Sequence, residues 1–184
     1  MNIKLILGSA SARRRKILTE LGVSFEVVIP EVEEVMYRGD PVRTVRENAV
    51  LKNDWCRSRY PEHQILTADT IVSLNSQCVE KPISMQEAMG FLRKFSGQVH
   101  QVLTGVCLAG KGQINKVEVV ESEVEFKTLT EPDIHEYVQR VDPMDKAGAY
   151  DIDQHSDLII KSYSGSRTNI MGLPAELVRK WLSF

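Results

Sequence analysis

The chain has 184 residues, 42% hydrophobic and 26% charged, and a formal net charge of −2. Such values suit one globular domain, or one domain with two lobes. They exclude a global basic field for DNA or RNA, so any anion site must come from a local cluster.

The elements alternate along the chain. Residues 3–7 form a short apolar strand, and residues 11–21 a helix with Ile17, Leu18 and Leu21 on one face and Gly22 as its stop. Residues 24–30 are a strand ended by Pro30. A long helix over 41–58 starts at Pro41, with Val42, Val45, Ala49 and Trp55 inward. Residues 65–74 are a strand that "NSQ" (75–77) turns back. Ser84 and Glu87 form a capping box that opens a helix running to Phe95. Strands near 98–109 and 114–128 follow, joined by "GKGQ". "TEPD" (130–133) opens another helix, "DLIIKSY" (157–163) is a strand, and Pro174 starts the last helix. This alternation, with one hairpin, gives an α/β fold on a mixed sheet.

The three cysteines, Cys56, Cys78 and Cys107, are widely spaced and form no CxxC pair, which suits free thiols in a reducing cytosol. The N-terminal "MNIKLILGS" lacks a signal-peptide pattern, and no run approaches the ~20 apolar residues that span a membrane. The expected location is the cytoplasm.

Several clusters carry possible chemistry. "LGSASARRRK" (7–16) runs from a strand through small residues into a helix, a setting whose backbone N–H groups attract an anion. Ser9 and Ser11 add donors, and an arginine fork matches phosphate oxygens. Successive helical residues splay by ~100°, so Arg13, Arg14 and Arg15 cannot all face one point. A solvated basic face with Ser11 as N-cap is the competing reading. "VEEV" (32–35) offers two adjacent carboxylates, either a Mg²⁺ site or a surface pair. Asp69 interrupts the apolar strand 65–74. A buried aspartate is costly unless bonded, so it is either structural or serves as base or metal ligand. Lys81 precedes Pro82 in a loop, and Lys52 lies on the long helix. "DKAGAYDID" (145–153) is small in its middle and carries Tyr150, which permits close approach of a base or sugar. His63, His100, His135 and His155 show no paired ligand spacing. His100 is read as a packed or hydrogen-bonded strand residue.

In order along nearly the whole chain, these segments resemble the Maf (septum-formation-inhibitor-like) family of nucleoside triphosphate pyrophosphatases. The resemblance rests on "SASARR" (9–14), Glu33 and Glu34, Lys52, "ADT" (68–70), "EKP" (80–82), "SGQVHQVLTGV" (96–106), "DKAGAY" (145–150) and "MGLP" (171–174). It implies an elongated, twisted mixed sheet flanked by helices, with two lobes and a central cleft, as in inosine triphosphatases. It also implies hydrolysis of a nucleoside triphosphate to monophosphate and pyrophosphate with Mg²⁺ or Mn²⁺.

Under that resemblance Ser9, Ser11 and Arg14 cradle the triphosphate, Lys52 and Lys81 neutralise its charge, Glu33 and Asp69 hold the cation, and Asp69 is the general base. Arg13 and Thr70 match specificity positions of the dTTP/UTP-preferring group. That group has Gln where this chain has Asp153, with Gln154 one residue later, so Asp153 is a substrate-contact candidate whose preference is open. Ala12 replaces the usual Pro of the first motif. A 7-methyl-GTP pyrophosphatase and a non-hydrolysing regulator of cell division are the alternatives. The resemblance extends to a homodimer, with no nucleic acid or membrane partner.

Overall fold

The computed structural model describes residues 5–110 and 115–182. Residues 3 and 4 of the predicted first strand, residues 111–113 of the "GKGQ" connection and residue 114 of the next strand lie outside them. The strands are β1 (Leu5–Gly8), β2 (Phe25–Val28), β3 (Gln64–Leu74), β4 (Gln77–Val79), β5 (Val99–Ala109), β6 (Lys116–Phe126) and β7 (Ile160–Ser164). Helices are α1 (Ala12–Glu20), α2 (Pro41–Arg59), α3 (Met85–Phe95), α4 (Glu131–Arg140), α5 (Ser156–Ile159), α6 (Arg167–Ile170) and α7 (Ala175–Leu182), with a 3₁₀ turn at Ala147–Ala149. No helix among the described residues is long and apolar enough to cross a membrane.

The strands form one mixed sheet in the order β2-β1-β3-β5-β6-β7, with β4 also paired to β3. The first three strands are parallel to one another and the rest pair antiparallel. β5 pairs with β3 from Ile65 to Ser73. On the opposite edge, β1 covers β3 only as far as Thr67, and β4 rejoins it at Val72. Residues 68–71 therefore have no strand on that side. This gap separates two lobes and opens the cleft between them.

The two faces are covered differently. Because opposed residues share a face, Leu7, Leu66, Val106 and Val124 meet α1, α3, α4 and α7 in the main core, which includes Ile17, Leu18, Leu92, Phe95 and Trp181. Each fully buried side chain of this kind contributes roughly 1.5–3 kcal/mol. The other face carries α2, through Val45 against Ile71 and Leu103, and Cys56 against Ile6 and Ile65. Buried polar groups fasten α2 as well. Thr67 Oγ1 donates to the Ala49 carbonyl at 2.6 Å, and Asn53 Nδ2 to those of Ile65 and Cys107 at 2.9 and 3.2 Å. Gly105 lets the helix settle this closely, since a Cβ there would lie 2.2 Å from the Val45 carbonyl oxygen.

Some expectations change. Val42 is 47% exposed, not inward. The strand predicted over 157–163 begins as the helical turn α5 and becomes β7 only at Ile160. The turn after β3 uses Asn75 and Ser76, both at positive φ, so Gln77 already belongs to β4. At Ser84 the hydroxyl caps Glu87 N–H as expected, but the Glu87 carboxylate accepts from Ile83 N–H. The complete capping box is at Thr130 and Asp133.

Candidate active site

The loop between β1 and α1 lines the cleft from Gly8 to Arg14. Gly8 passes so close to β3 that a Cβ would lie 2.6 Å from Thr67 Cγ2. Ser9 Oγ accepts from Ser11 N–H at 3.2 Å, and Ser11 Oγ caps the helix by accepting from Arg14 N–H at 3.4 Å. The loop thus brings the N-terminus of α1, with its partial positive charge, to the cleft wall.

The three arginines divide as helical geometry requires. Arg15 is exposed and Arg13 is partly exposed along the cleft, while Arg14 is buried. Arg14 Nε donates to the Gly172 carbonyl at 2.8 Å. Its Nη1 donates to the Ala68 carbonyl at 2.8 Å and Ser9 Oγ at 3.2 Å, and its Nη2 to Thr70 Oγ1 at 3.0 Å. Four of its five N–H donors are committed. Burial pulls its pKa down, and the Asp69 charge opposes that. The side chain occupies the uncovered edge of β3 and ties it to the Met171–Gly172 turn. Thr70 joins the same knot through Thr104 Oγ1 at 2.9 Å.

Asp69 points to the α2 face, opposite Gly105. It is buried, and its Oδ1 accepts from Lys52 Nζ at 2.7 Å and its Oδ2 from Asn48 Nδ2 at 3.1 Å. Lys52 Nζ also lies 2.7 Å from Glu34 Oε1. Of the acidic pair, Glu34 lines the cleft; Glu33, the predicted cation ligand, is exposed and does not. The reason is Asn48, which exchanges two hydrogen bonds with Val35, at 2.8 and 3.0 Å, and so sets which carboxylate faces in. Lys81 lines the cleft from the loop after β4, and that loop is held by Gly148 N–H donating to the Glu80 carbonyl at 3.2 Å.

The far wall holds Tyr150, Asp151 and Ile152. His100 Nε2 and Tyr150 Oη are 2.8 Å apart inside a cage with Phe95 and Phe126. His100 is thus packed and hydrogen-bonded, as read from the sequence, and burial pulls it down to about 3, so the ring is neutral. Asp153 does not line the cleft. It pairs with Lys16 at 3.3 Å and Arg167 at 2.6 Å, because its N–H bonds Asp151 Oδ1 and turns the chain outward. Asp151 takes the cleft-facing place, with Arg13 Nη1 3.7 Å from its Oδ2. The whole cavity is about 470 Å³, within the usual range for a small-molecule site.

Residues 4–183 match the family described as Maf-like protein. The chain belongs to that family. Among its relatives, "dTTP/UTP pyrophosphatase" of Thermotoga petrophila is 37% identical over 98% of this chain and 88% of its own. The protein of that name from Symbiobacterium thermophilum is 41% identical over 93% of this chain and 88% of its own. "Nucleoside triphosphate pyrophosphatase" of Haemophilus ducreyi is 37% identical over 95% and 91%. The fold is similar to a HAM1 protein from Coxiella burnetii (TM-score 0.58, 11% identity) and the Staphylococcus aureus Ham1 protein (TM-score 0.54, 14% identity), each covering 98% of both chains.

In this Maf-like chain no three-residue cluster of His, Cys, Asp and Glu forms among the described residues. Glu34 and Asp69 are nonetheless hard oxygen donors on one lysine. That set fits Mg²⁺, which is held by one or two carboxylates and completed by water and substrate phosphates. Sequence reasoning named the Glu33–Glu34 pair but chose Glu33 from it, and it missed Asn48 and Asp151 as cleft groups. The signal for Asn48 was an amide on the same helix face as Lys52, four residues away.

Proposed function

We propose that this chain hydrolyses a nucleoside triphosphate, dTTP or UTP, to the monophosphate and pyrophosphate. The observation that carries the reading is Asp69, buried against Lys52 at 2.7 Å at the edge of a cleft walled by the β1–α1 loop. The names of the relatives support the substrate class, and "DKAGAY" supports the pyrimidine group.

Phosphate oxygens lie against the loop N–H groups and Ser9, with Arg14 fixing the loop and keeping one N–H to give. Lys52 has three donors, two of them used by Glu34 and Asp69, so one remains for the triphosphate. Lys52 and Lys81 then offset charge that grows on the leaving pyrophosphate. Asp69 Oδ takes the proton of a water that attacks the α-phosphorus, and the bond to the bridging oxygen breaks. Aspartate alone is a weak base, near ~3.9 in water. Glu34 and Asp69 would hold the divalent cation, which lowers the pKa of a bound water. Under this reading the enzyme works in the cytoplasm on free nucleotide.

Asp69→Asn tests it with pyrophosphate detection on UTP and dTTP. Turnover should fall ~10²–10⁴-fold with folding and UTP binding kept. Near-normal hydrolysis would refute the assignment.

A further inference from the structure

We infer that Asp151, set beside the specificity position Arg13, is a further residue that reads the nucleobase, selecting one with a ring N–H beside a carbonyl. This rests on the function proposed above.

A carboxylate in the wall of a cleft that takes a polyphosphate needs a reason. Asp151 is 4% exposed and yet borders the cavity. It would repel phosphate oxygens, so the triphosphate belongs at the other end, with Lys52, Lys81 and the β1–α1 loop. What approaches Asp151 must then be neutral and must donate. Its oxygens are held but not saturated. Oδ1 accepts from Asp153 N–H at 2.8 Å and Oδ2 from Gln154 Nε2 at 3.2 Å. A carboxylate has about four acceptor positions, so each oxygen can take one more donor. Tyr137 fixes the backbone on both sides, since its Oη accepts from Asp151 N–H at 2.9 Å and lies 3.5 Å from the Asp151 carbonyl oxygen.

Arg13 supplies the complementary half. At 3.7 Å from Asp151 and 30% exposed, its guanidinium is an adjacent donor that is not spent on a close bond to that carboxylate. An acceptor beside a donor matches a lactam edge: the ring N–H goes to Asp151 and the neighbouring carbonyl to Arg13. Uracil and thymine present that edge at N3–H, while cytosine and adenine carry a bare ring nitrogen there. A ribose diol also donates to a carboxylate and accepts from an arginine, but it is the same whichever base the nucleotide carries and so reads none of them. Ile152 and Tyr150 flank Asp151 in the wall and give a ring an apolar surface. The gap left by Asp153, which faces away, is thus filled two residues earlier by a group of different chemistry.

The test compares kcat/KM for UTP and N3-methyl-UTP in wild type, Asp151→Ala and Arg13→Gln, by pyrophosphate release, with a thermal melt on each protein. Wild type should prefer UTP by roughly 10–100-fold, the discrimination typical of a good paired base contact. Asp151→Ala should lose that preference, through a fall on UTP of at least ~10-fold with N3-methyl-UTP changed less than ~3-fold. Arg13→Gln should weaken it too. Equal losses on both nucleotides, or a preference kept in Asp151→Ala, overturn the inference. If Asp151→Ala fails to fold, wild type decides alone, since equal use of the two nucleotides overturns it. A wild type that releases no pyrophosphate from any triphosphate refutes the proposed function instead. Equilibrium binding of UTP against N3-methyl-UTP then still reads the Asp151 contact, with equal affinity counting against it.

Discussion

Gly105→Ala probes how the sheet holds the acid centre. The added methyl would meet the Val45 carbonyl oxygen at 2.2 Å and its carbon at 2.5 Å, both backbone atoms of α2 that no rotamer change can move. Reaching an ordinary contact of about 3.4 Å requires α2 to retreat about 1.2 Å. The same helix carries Asn48 and Lys52, so the 2.7 Å bond from Lys52 to Asp69 stretches toward about 3.9 Å, beyond hydrogen-bond length. Overpacking of a tight core costs about 1–3 kcal/mol, and a backbone clash belongs at the upper end. At a urea slope of about 2 kcal/mol/M the unfolding midpoint should drop by about 1.5 M. A displacement near 1 Å in a catalytic group also costs about 10²-fold in rate. Urea unfolding by circular dichroism and pyrophosphate release from UTP measure the two effects. A variant with the wild-type midpoint refutes the seating argument. One that is destabilised yet turns over at the wild-type rate refutes the link between α2 and Asp69.

Arg14→Lys replaces a fork with a single ammonium and strands the Ala68 or Gly172 carbonyl, at about 1–3 kcal/mol for a buried group. A Tm lower by about 5 °C is expected, and an unchanged Tm would show that the clamp is dispensable. His100 makes stability depend on pH: in the unfolded chain the ring takes a proton as pH falls below 6.5, but in the fold only near 3. Between those values the unfolded state binds the extra proton, so this group should cost about 2 kcal/mol at pH 5 relative to pH 7. Urea midpoints should show that slope in wild type and a flatter one in His100→Gln; equal slopes would argue against the buried neutral ring. Chelation with EDTA should abolish pyrophosphate release without altering the melt, and Mg²⁺ or Mn²⁺ should restore it, while full activity in EDTA would remove Glu34 and Asp69 from any cation role.

Much of this was legible because the local signals were strong. The polar break at Asp69 in a strand of Val, Ile and Leu marked a buried carboxylate that needs partners, and the ~100° step between helical residues showed that the three arginines must divide, as buried Arg14 and exposed Arg15 do. Where the reading missed, the deciding contact was remote. Glu33 and Glu34 are equivalent in sequence, and only the Asn48–Val35 bonds choose between them. Asp151 and Asp153 share a period of two, yet the Asp153 N–H closes a small turn on Asp151 that sends the second carboxylate to Lys16. α6, four residues long, is too short for a helical period to register, and the apolar run at 157–160 reads equally as strand or helix.

The uncovered stretch of β3 has a consequence for how such a site is made and lost. An unpaired edge normally invites another chain to add itself there. In this fold the vacancy opens onto the cleft proposed as the binding site, a missing length of strand between Gly8 and Val79 whose place is taken by one arginine side chain. The cleft was made by omission. An insertion that prolonged β1 past Gly8, or started β4 ahead of its pairing with Val72, would zip the edge shut and erase the site while leaving the sheet better paired than before.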